Sequence, residues 1–235
     1  MKKLAVITGA TKGIGKALAE VFAEDGFDIY ACARSQDDLK KVSAELSEKY
    51  PSQEFNFIKA DLSKREEVSK FAEAVLASGR DIDVLINNTG IYTPGQVHNE
   101  DEGVLENLVQ TNLYSAYHLT RALIKNMIEV KKGHIFNICS TASIMPYVNG
   151  GSYCITKYAL YGMSKVLREE MKPHGIKVTS VLPGATYTAS WEGVEIPESR
   201  FMKSEDVAKM VYSTYTLSEN SVVEDILIRP QLGDL

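Results

Sequence analysis

Hydrophobic residues in this chain fall into short unbroken runs separated by longer amphipathic stretches. Residues 4–7 are apolar throughout, as a strand buried on both faces requires. Similar runs span 27–33, 54–60, 82–87, 135–139, 177–182 and 222–228. Helical spacing occupies the intervals between them: 14–24, 37–50 (stopped by Pro51), 63–78, 104–130, a stretch from Gly150-Gly151 to near Pro173, and one beginning at Ser204. Ser63 reads as a helix cap with Glu66 as its capping-box partner, and Ser204 as a cap followed by Glu205 and Asp206 in the first turn. Strands alternating with helices predict an α/β, doubly wound parallel sheet of seven strands with helices on both faces. With no repeat, low-complexity segment or linker, residues 1–235 are expected to form a single domain. The less regular 186–203 is expected to be a short lid.

Composition narrows the picture. The chain has 235 residues, 44% hydrophobic and 24% charged, with a net charge of −5. No basic block suggests a nucleic-acid footprint. Cys32, Cys139 and Cys154 are odd in number and lack metal spacing, so they read as free buried thiols in a reducing compartment. The apolar run after Lys2-Lys3 is too short for a signal segment, and no run is long enough to span a membrane. A soluble, cytoplasmic protein is expected. His98, His118, His134 and His174 read as surface or capping residues, and no metal site is expected.

Two stretches carry candidate chemistry. Gly9, Gly13 and Gly15 open a strand-to-helix turn, where glycine lets backbone approach a pyrophosphate and the helix N-terminus favours negative charge. Tyr153 and Lys157 are one helical turn apart, a phenol beside an ammonium. Either feature alone is common. For the dinucleotide, the second strand ends Ala33-Arg34 where an acid would bind ribose hydroxyls. With Lys12, Arg34 suits a 2′-phosphate, so NADP(H) is favoured. Asp37 and Asp38 come late for the ribose role but keep NAD(H) as the alternative.

Together these motifs identify a resemblance to the short-chain dehydrogenase/reductase family over essentially the whole chain. Its residues are Thr8 to Gly15, Asp61-Leu62-Ser63, Asn87-Asn88-Thr89-Gly90, Asn112, Ser140, Tyr153 with Lys157, and Pro183-Gly184 with Thr188. The resemblance implies a Rossmann-type fold and carbonyl–alcohol chemistry. Tyr153 would be the general acid, Lys157 would lower its pKa and bind the nicotinamide ribose, and Ser140 would hold the substrate oxygen. Asn112 would interrupt the long helix and order a proton-relay water. The implied cofactor residues are Gly9, Thr11, Lys12, Gly13, Ile14, Gly15, Arg34, Asp61, Leu62, Asn88, Gly90, Tyr153, Lys157, Pro183, Gly184, Thr186 and Thr188, with Asn87 supporting the adjacent turn. The usual Asn-Asn-Ala-Gly is Asn-Asn-Thr-Gly here, and Ile155 replaces a small residue. Ser143 lies nearby, but Ser140 matches the family's distance ahead of Tyr153.

For substrate, Tyr147, Tyr92 and Trp191, with Tyr187 and Phe201, are expected to line an aromatic pocket. The stretch Tyr187 to Trp191 and the tail 222–230 resemble bacterial sepiapterin reductases, with Asp234 as the acid that would anchor a pterin. A 3-oxoacyl-carrier-protein reductase is the alternative, although Lys131 and His174 offer only a partly basic mouth to an acidic carrier. A non-catalytic NADP-binding regulator is a third reading. The substrate is a small molecule, with no nucleic-acid or membrane partner. The resemblance also implies a homodimer or homotetramer.

Overall fold

The structure, a computed structural model, describes residues 2–188, 193 and 195–234. Trp191 lies outside the described residues. Seven strands form one sheet: β1 (Leu4–Thr8), β2 (Asp28–Ala33), β3 (Phe55–Lys59), β4 (Val84–Asn87), β5 (Gly133–Ile138), β6 (Ile176–Pro183) and β7 (Asp225–Ile228). Their order is β3-β2-β1-β4-β5-β6-β7, and every pairing is parallel. The helices are α1 (Gly13–Glu24), α2 (Gln36–Lys49), α3 (Arg65–Leu76), α4 (Val104–Val109), α5 (Ser115–Val130), α6 (Gly151–Met171) and α7 (Ser204–Tyr215).

Period-two alternation sends successive apolar strand residues to opposite faces. Ala5 and Ile7 of β1, with Ile29, Ile86 and Phe136, pack under α1, α2 and α7. Leu4 and Val6, with Leu85, Ile135 and Val178, pack against α3 and α5. Both faces are therefore core, which is why the strands read as unbroken apolar runs. Phe22 and Phe27 meet edge-on at 5.1 Å, and Tyr212 and Tyr215 of α7 close the cluster. Among the described residues, no helix is long and apolar enough to cross a membrane.

Two helix starts differ from expectation. Ser63 does not cap α3, because its hydroxyl is committed to Asp61 Oδ1 at 2.8 Å; α3 starts at Arg65 after an uncapped Lys64. The capping box with Glu66 is therefore absent, and it is Glu67 that accepts from the Asp61 N–H. Ser204 is the first residue of α7 rather than its cap, and its hydroxyl reaches the Tyr187 carbonyl at 3.4 Å. The predicted helix 104–130 is continuous in direction but changes pitch: a π-helical turn over Gln110–Tyr114 joins α4 to α5.

His134 also departs from expectation, being buried in β5 rather than at the surface. Its ring stacks on Phe136 at 3.9 Å, and Nε2 lies 2.7 Å from the Thr179 hydroxyl. That hydroxyl donates to the Val223 carbonyl at 2.6 Å, so the imidazole must be the donor, with its proton on Nε2. Burial, with the Lys177 charge adding, pushes the His134 pKa down to about 3. The unfolded chain would titrate near 6.5. Between these values the unfolded state binds a proton that the folded state does not. Stability is therefore complete above the unfolded pKa and falls with decreasing pH by roughly 1.4 kcal/mol per unit. In urea unfolding at pH 7 and pH 5, wild type is expected to lose about 2 kcal/mol more than His134→Phe. Equal losses would contradict this account of His134.

Candidate functional site

The chain order reverses between β1 and β4, and the loops following β1, β4, β5 and β6 surround the crevice at that point. Open α/β sheets bind ligands in such a crevice. The glycine loop forms one wall. Gly9 adopts φ +67°, and its N–H donates to Cys32 O at 2.8 Å. Gly15 is packed so tightly that a Cβ would stand 2.1 Å from the Gly9 carbonyl and 2.5 Å from Asn88 Nδ2. Gly13 opens α1, which has no side-chain cap, so its first N–H groups face the loop. Thr11 is half-buried there, Ile14 packs against the core, and Thr188 closes on Gly13 from across the crevice.

Charged groups gather at the ends of β2 and β3. Arg34 and Lys12 are exposed, and Lys12 pairs with Asp38 at 3.5 Å. Asp37 and Asp38 belong to the first turn of α2, where the Ser35 hydroxyl accepts from the Asp38 N–H. Burial alone would raise the Asp61 pKa. Hydrogen bonds from the Ser63 hydroxyl and N–H, with Lys64 and Arg34 nearby, outweigh it and hold the carboxyl below its ordinary value. Leu62 is core, so only its backbone is available to a ligand.

Asn112, Ser140, Tyr153 and Lys157, distant in sequence, converge at the centre. Asn112 lies in the π turn and is fully buried. Its Oδ1 accepts from Ile91 N at 2.8 Å, while Nδ2 donates to Ile91 O at 3.0 Å and to Thr156 Oγ1 at 3.1 Å. Thr156 in turn donates to the Tyr153 carbonyl at 2.8 Å. Asn112 thus ties the loop after β4 to α6. Lys157 is 4% exposed, and its Nζ donates to Ile138 O at 2.9 Å. Gly90 lies beside both, in ordinary contact range: a Cβ there would stand 3.4 Å from Lys157 Nζ and from Asn112 Oδ1.

Ser140 caps the helical turn Thr141–Ser143: its hydroxyl accepts from Ala142 N, and its own N–H donates to the Ser143 hydroxyl. Ser143 is fully buried, leaving Ser140 as the serine facing Tyr153. Burial pushes the Tyr153 phenol up to about 12, and the hydrogen bond with Ser140 opposes that rise. Lys157, expected to lower this pKa, does not reverse the net rise. Its ammonium sits 5.7 Å from the ring centroid and is itself drawn down by burial. Tyr153 is therefore protonated at neutral pH.

Asn87 and Asn88 differ in what they support. Asn88 clamps the glycine turn, donating to Thr8 O at 2.8 Å and Gly9 O at 3.2 Å, while Thr8 Oγ1 accepts from Asn88 N and Thr89 N. Asn87, expected to support that turn, points inward instead and donates to Thr120 Oγ1 at 3.0 Å and Asn137 Oδ1 at 2.8 Å. Asn137 then donates to Ser164 Oγ at 2.8 Å. Neither the Thr156 hydroxyl nor Asn137 was marked out by the sequence. Only Asn137 left a signal there, as a polar residue inside an apolar strand.

The expected aromatic pocket divides in two. Tyr92 meets Tyr153 edge-on at 5.0 Å, and Tyr147 lies beside them, its pKa raised by burial and by Tyr92 and Tyr153. Tyr147 also lines an apolar groove of about 480 Å³ with Val97, Cys154, Ile155 and Tyr158. Tyr187 and Phe201 pair with each other at 5.6 Å on a different cleft, of about 960 Å³, beside Gly13 and Lys16. The Asp234 carboxylate abuts Gly184, just past Pro183 at the end of β6. Arg229 Nε donates to its Oδ2 at 2.9 Å, whereas Oδ1 is buried with no partner among the described residues. Thr186 is buried, and its hydroxyl donates to Gly184 O. The three cysteines are free and buried.

A family model described as short chain dehydrogenase matches residues 3–198. A sepiapterin reductase of Chlorobaculum tepidum is 32% identical over 243 residues, covering 100% of this chain and 99% of that protein. A 3-oxoacyl-acyl-carrier-protein reductase of Haemophilus influenzae is 31% identical over 219 residues, covering 89% and 88% respectively. Among solved structures, an alcohol dehydrogenase from the archaeon Thermococcus sibiricus, complexed with 5-hydroxy-NADP, superposes with a TM-score of 0.91. It is 27% identical and covers 98% of this chain and 97% of that one.

The glycine packing sets a contrast between two substitutions. Gly15→Ala forces a Cβ into backbone and is expected to cost roughly 1–3 kcal/mol in denaturant unfolding. Gly162→Ala on α6 meets nothing within 4 Å and should stabilise by about 0.5–1 kcal/mol. Equal effects at the two positions would contradict the close-approach reading.

Proposed function

Because this chain belongs to the short-chain dehydrogenase family of oxidoreductases, we propose that it reduces a ketone to a secondary alcohol with NADPH, Tyr153 acting as proton donor. The observation that carries this reading is the convergence of a half-buried, protonated phenol with Ser140, a buried Lys157 and Asn112 in the crevice. The glycine turn fits a dinucleotide: Gly15 packs directly on the Gly9 carbonyl and Asn88, which holds the turn closed, and the uncapped N–H groups of α1 face the loop. In this reading the backbone from Gly9 to Gly15, with Thr11, holds the pyrophosphate. Lys12 and Arg34 hold the 2′-phosphate, and Asp61 with Leu62 backbone holds the adenine. Asn88 keeps the cradle in shape. Gly90 and Lys157 border the nicotinamide ribose, while Pro183, Gly184, Thr186 and Thr188 border the carboxamide. Bound there, the cofactor supplies the hydride.

The chain's own part is to orient the ketone and move a proton. Ser140 donates to the carbonyl oxygen and withdraws charge from the carbonyl carbon. Tyr153 gives its phenolic proton to the same oxygen as the carbon gains the hydride, leaving the alcohol and a phenolate. The raised pKa keeps that proton in place through neutral pH, and Ser140 eases its departure. Lys157 stabilises the phenolate, and a water ordered by Asn112 beside Lys157 would return a proton to it.

For substrate we favour a ketone on the side chain of a pterin. The full-length likeness to a sepiapterin reductase supports this, and Asp234, beside Gly184 at the end of β6, is the acid that would anchor a guanidine-like edge. Tyr92 and Tyr147 would border the ring. An acyl thioester is the second reading, supported by the likeness to the carrier-protein reductase. A net charge of −5 works against docking an acidic carrier. Association as a homodimer or homotetramer in the cytoplasm accompanies this reading, and exposed Tyr114 and Tyr117 on the π turn and α5 would suit such packing.

The test is a panel of sepiapterin, a simple diketone and a 3-oxoacyl thioester, each with NADPH and with NADH. Sepiapterin should be turned over faster with NADPH, and Arg34→Ala should raise KM for NADPH about ten-fold while leaving KM for NADH within two-fold, as expected for loss of one charged hydrogen bond. Turnover of the thioester alone would reject the pterin. Preference for NADH would reject the cofactor assignment.

A further inference from the structure

The helix that carries Tyr153 has no cap of its own. Gly150 precedes α6 and offers no side-chain acceptor, so the first N–H groups of the helix need partners from elsewhere. Glu100, on the loop between β4 and α4, supplies one. Its Oε1 accepts from Ser152 N at 2.8 Å, and its Oε2 accepts from the Ser152 hydroxyl. Both carboxylate oxygens thus hold the residue next to Tyr153, at the helix end where a carboxylate is favourable.

Space has been cleared for this contact. A Cβ at Gly151 would stand 2.0 Å from Glu100 Oε1 and 2.6 Å from Gly95 O, and one at Gly95 would stand 2.6 Å from Glu100 Cγ. The loop is secured on either side of the carboxylate. Gly95 N donates to Asn149 O at 3.0 Å, Gln96 Nε2 donates to Asn149 Oδ1 at 2.8 Å, and Glu100 N donates to Gln96 O at 2.9 Å. The same loop carries Tyr92, whose ring meets that of Tyr153. From the sequence, Glu100 is one acid in the run Glu100-Asp101-Glu102, with nothing to separate it from a solvated charge.

We infer that Glu100 is a positioning residue for Tyr153: by accepting from both the N–H and the hydroxyl of Ser152 it fixes the first turn of α6, and through it the direction of the phenol toward Ser140. This rests on the reading of Tyr153 as the proton donor. The loop from Tyr92 to Glu100 and the first turn of α6 then act as one unit. Misplacement of the phenol by an ångström costs turnover rather than cofactor affinity, since the glycine cradle belongs to β1 and α1 and Lys157, a turn further along α6, is held by its own bond to the Ile138 carbonyl.

The experiment compares Glu100→Ala, Glu100→Gln and Ser152→Ala. Amide hydrogen exchange is followed over residues 150–156, and kcat and KM for NADPH are measured with whichever ketone wild type turns over. Glu100→Ala should lose protection in that segment and lower kcat about ten- to hundred-fold, with KM for NADPH within two-fold. Glu100→Gln keeps an acceptor for the Ser152 N–H and should restore protection and most of kcat. Ser152→Ala, keeping one of the two bonds, should fall between them. If protection is lost but kcat holds, or Glu100→Gln fares as badly as Glu100→Ala, the positioning role is wrong. Unchanged exchange in Glu100→Ala overturns the clamp itself. Because exchange needs no turnover, failure of the clamp is distinguishable from failure of the reductase reading, which would show as wild type reducing no ketone while the segment remains protected.

Discussion

A buried ammonium sets the terms for this site. Lys157 is almost wholly enclosed, yet its Nζ finds the carbonyl of Ile138 as protein acceptor. Taking a charge from water is costly unless it is paired and hydrogen-bonded, and burial already draws its pKa down. The surroundings are arranged to tolerate it. Nζ and the Asn112 amide lie side by side next to Gly90, and Ile138 ends β5 with a carbonyl that accepts from Nζ. An ammonium held with spare donors suits a group that must serve both a ribose and a phenolate, which is the use proposed for it.

That arrangement depends on rigidity elsewhere. The π turn lets the Asn112 amide bind both polar groups of Ile91 and reach Thr156 on α6. π turns inside α-helices recur at functional sites because the extra residue redirects a side chain. Behind the site, Asn87, Asn137 and Ser164 form a buried chain from β4 through β5 to α6. Thr8 and Asn88 bind the end of β4 to the glycine turn. Buried polar networks of this kind rigidify when satisfied. Here they join the strand ends from which both the glycine turn and the helix carrying Tyr153 start.

The sheet was legible because its two covered faces demand unbroken apolar strands, and these bound the helices between them. Convergence of Asn112, Ser140, Tyr153 and Lys157 was legible as a motif order, not as geometry. What could not be read depends on partners remote in sequence. Ser63 would cap α3 if Asp61 did not take its hydroxyl. Asn87 would face the cofactor turn if Asn137 were not its register partner on β5. His134 looks like a surface residue until Thr179 and Phe136 enclose it. The aromatic residues gave no hint that Tyr92 and Tyr147 would join Tyr153 while Tyr187 and Phe201 turned to α1. The net rise of the Tyr153 pKa was hidden for the same reason: its desolvation was not visible, whereas its neighbour Lys157 was.

The central claim is that Tyr153 transfers the proton. Its most direct test is Tyr153→Phe, which removes only the hydroxyl, measured for both NADPH binding and ketone reduction. The account predicts a dissociation constant within about three-fold of wild type, about 0.7 kcal/mol, and a loss of kcat on the order of a hundred-fold or more. A variant that binds NADPH and reduces the ketone at the wild-type rate would contradict it.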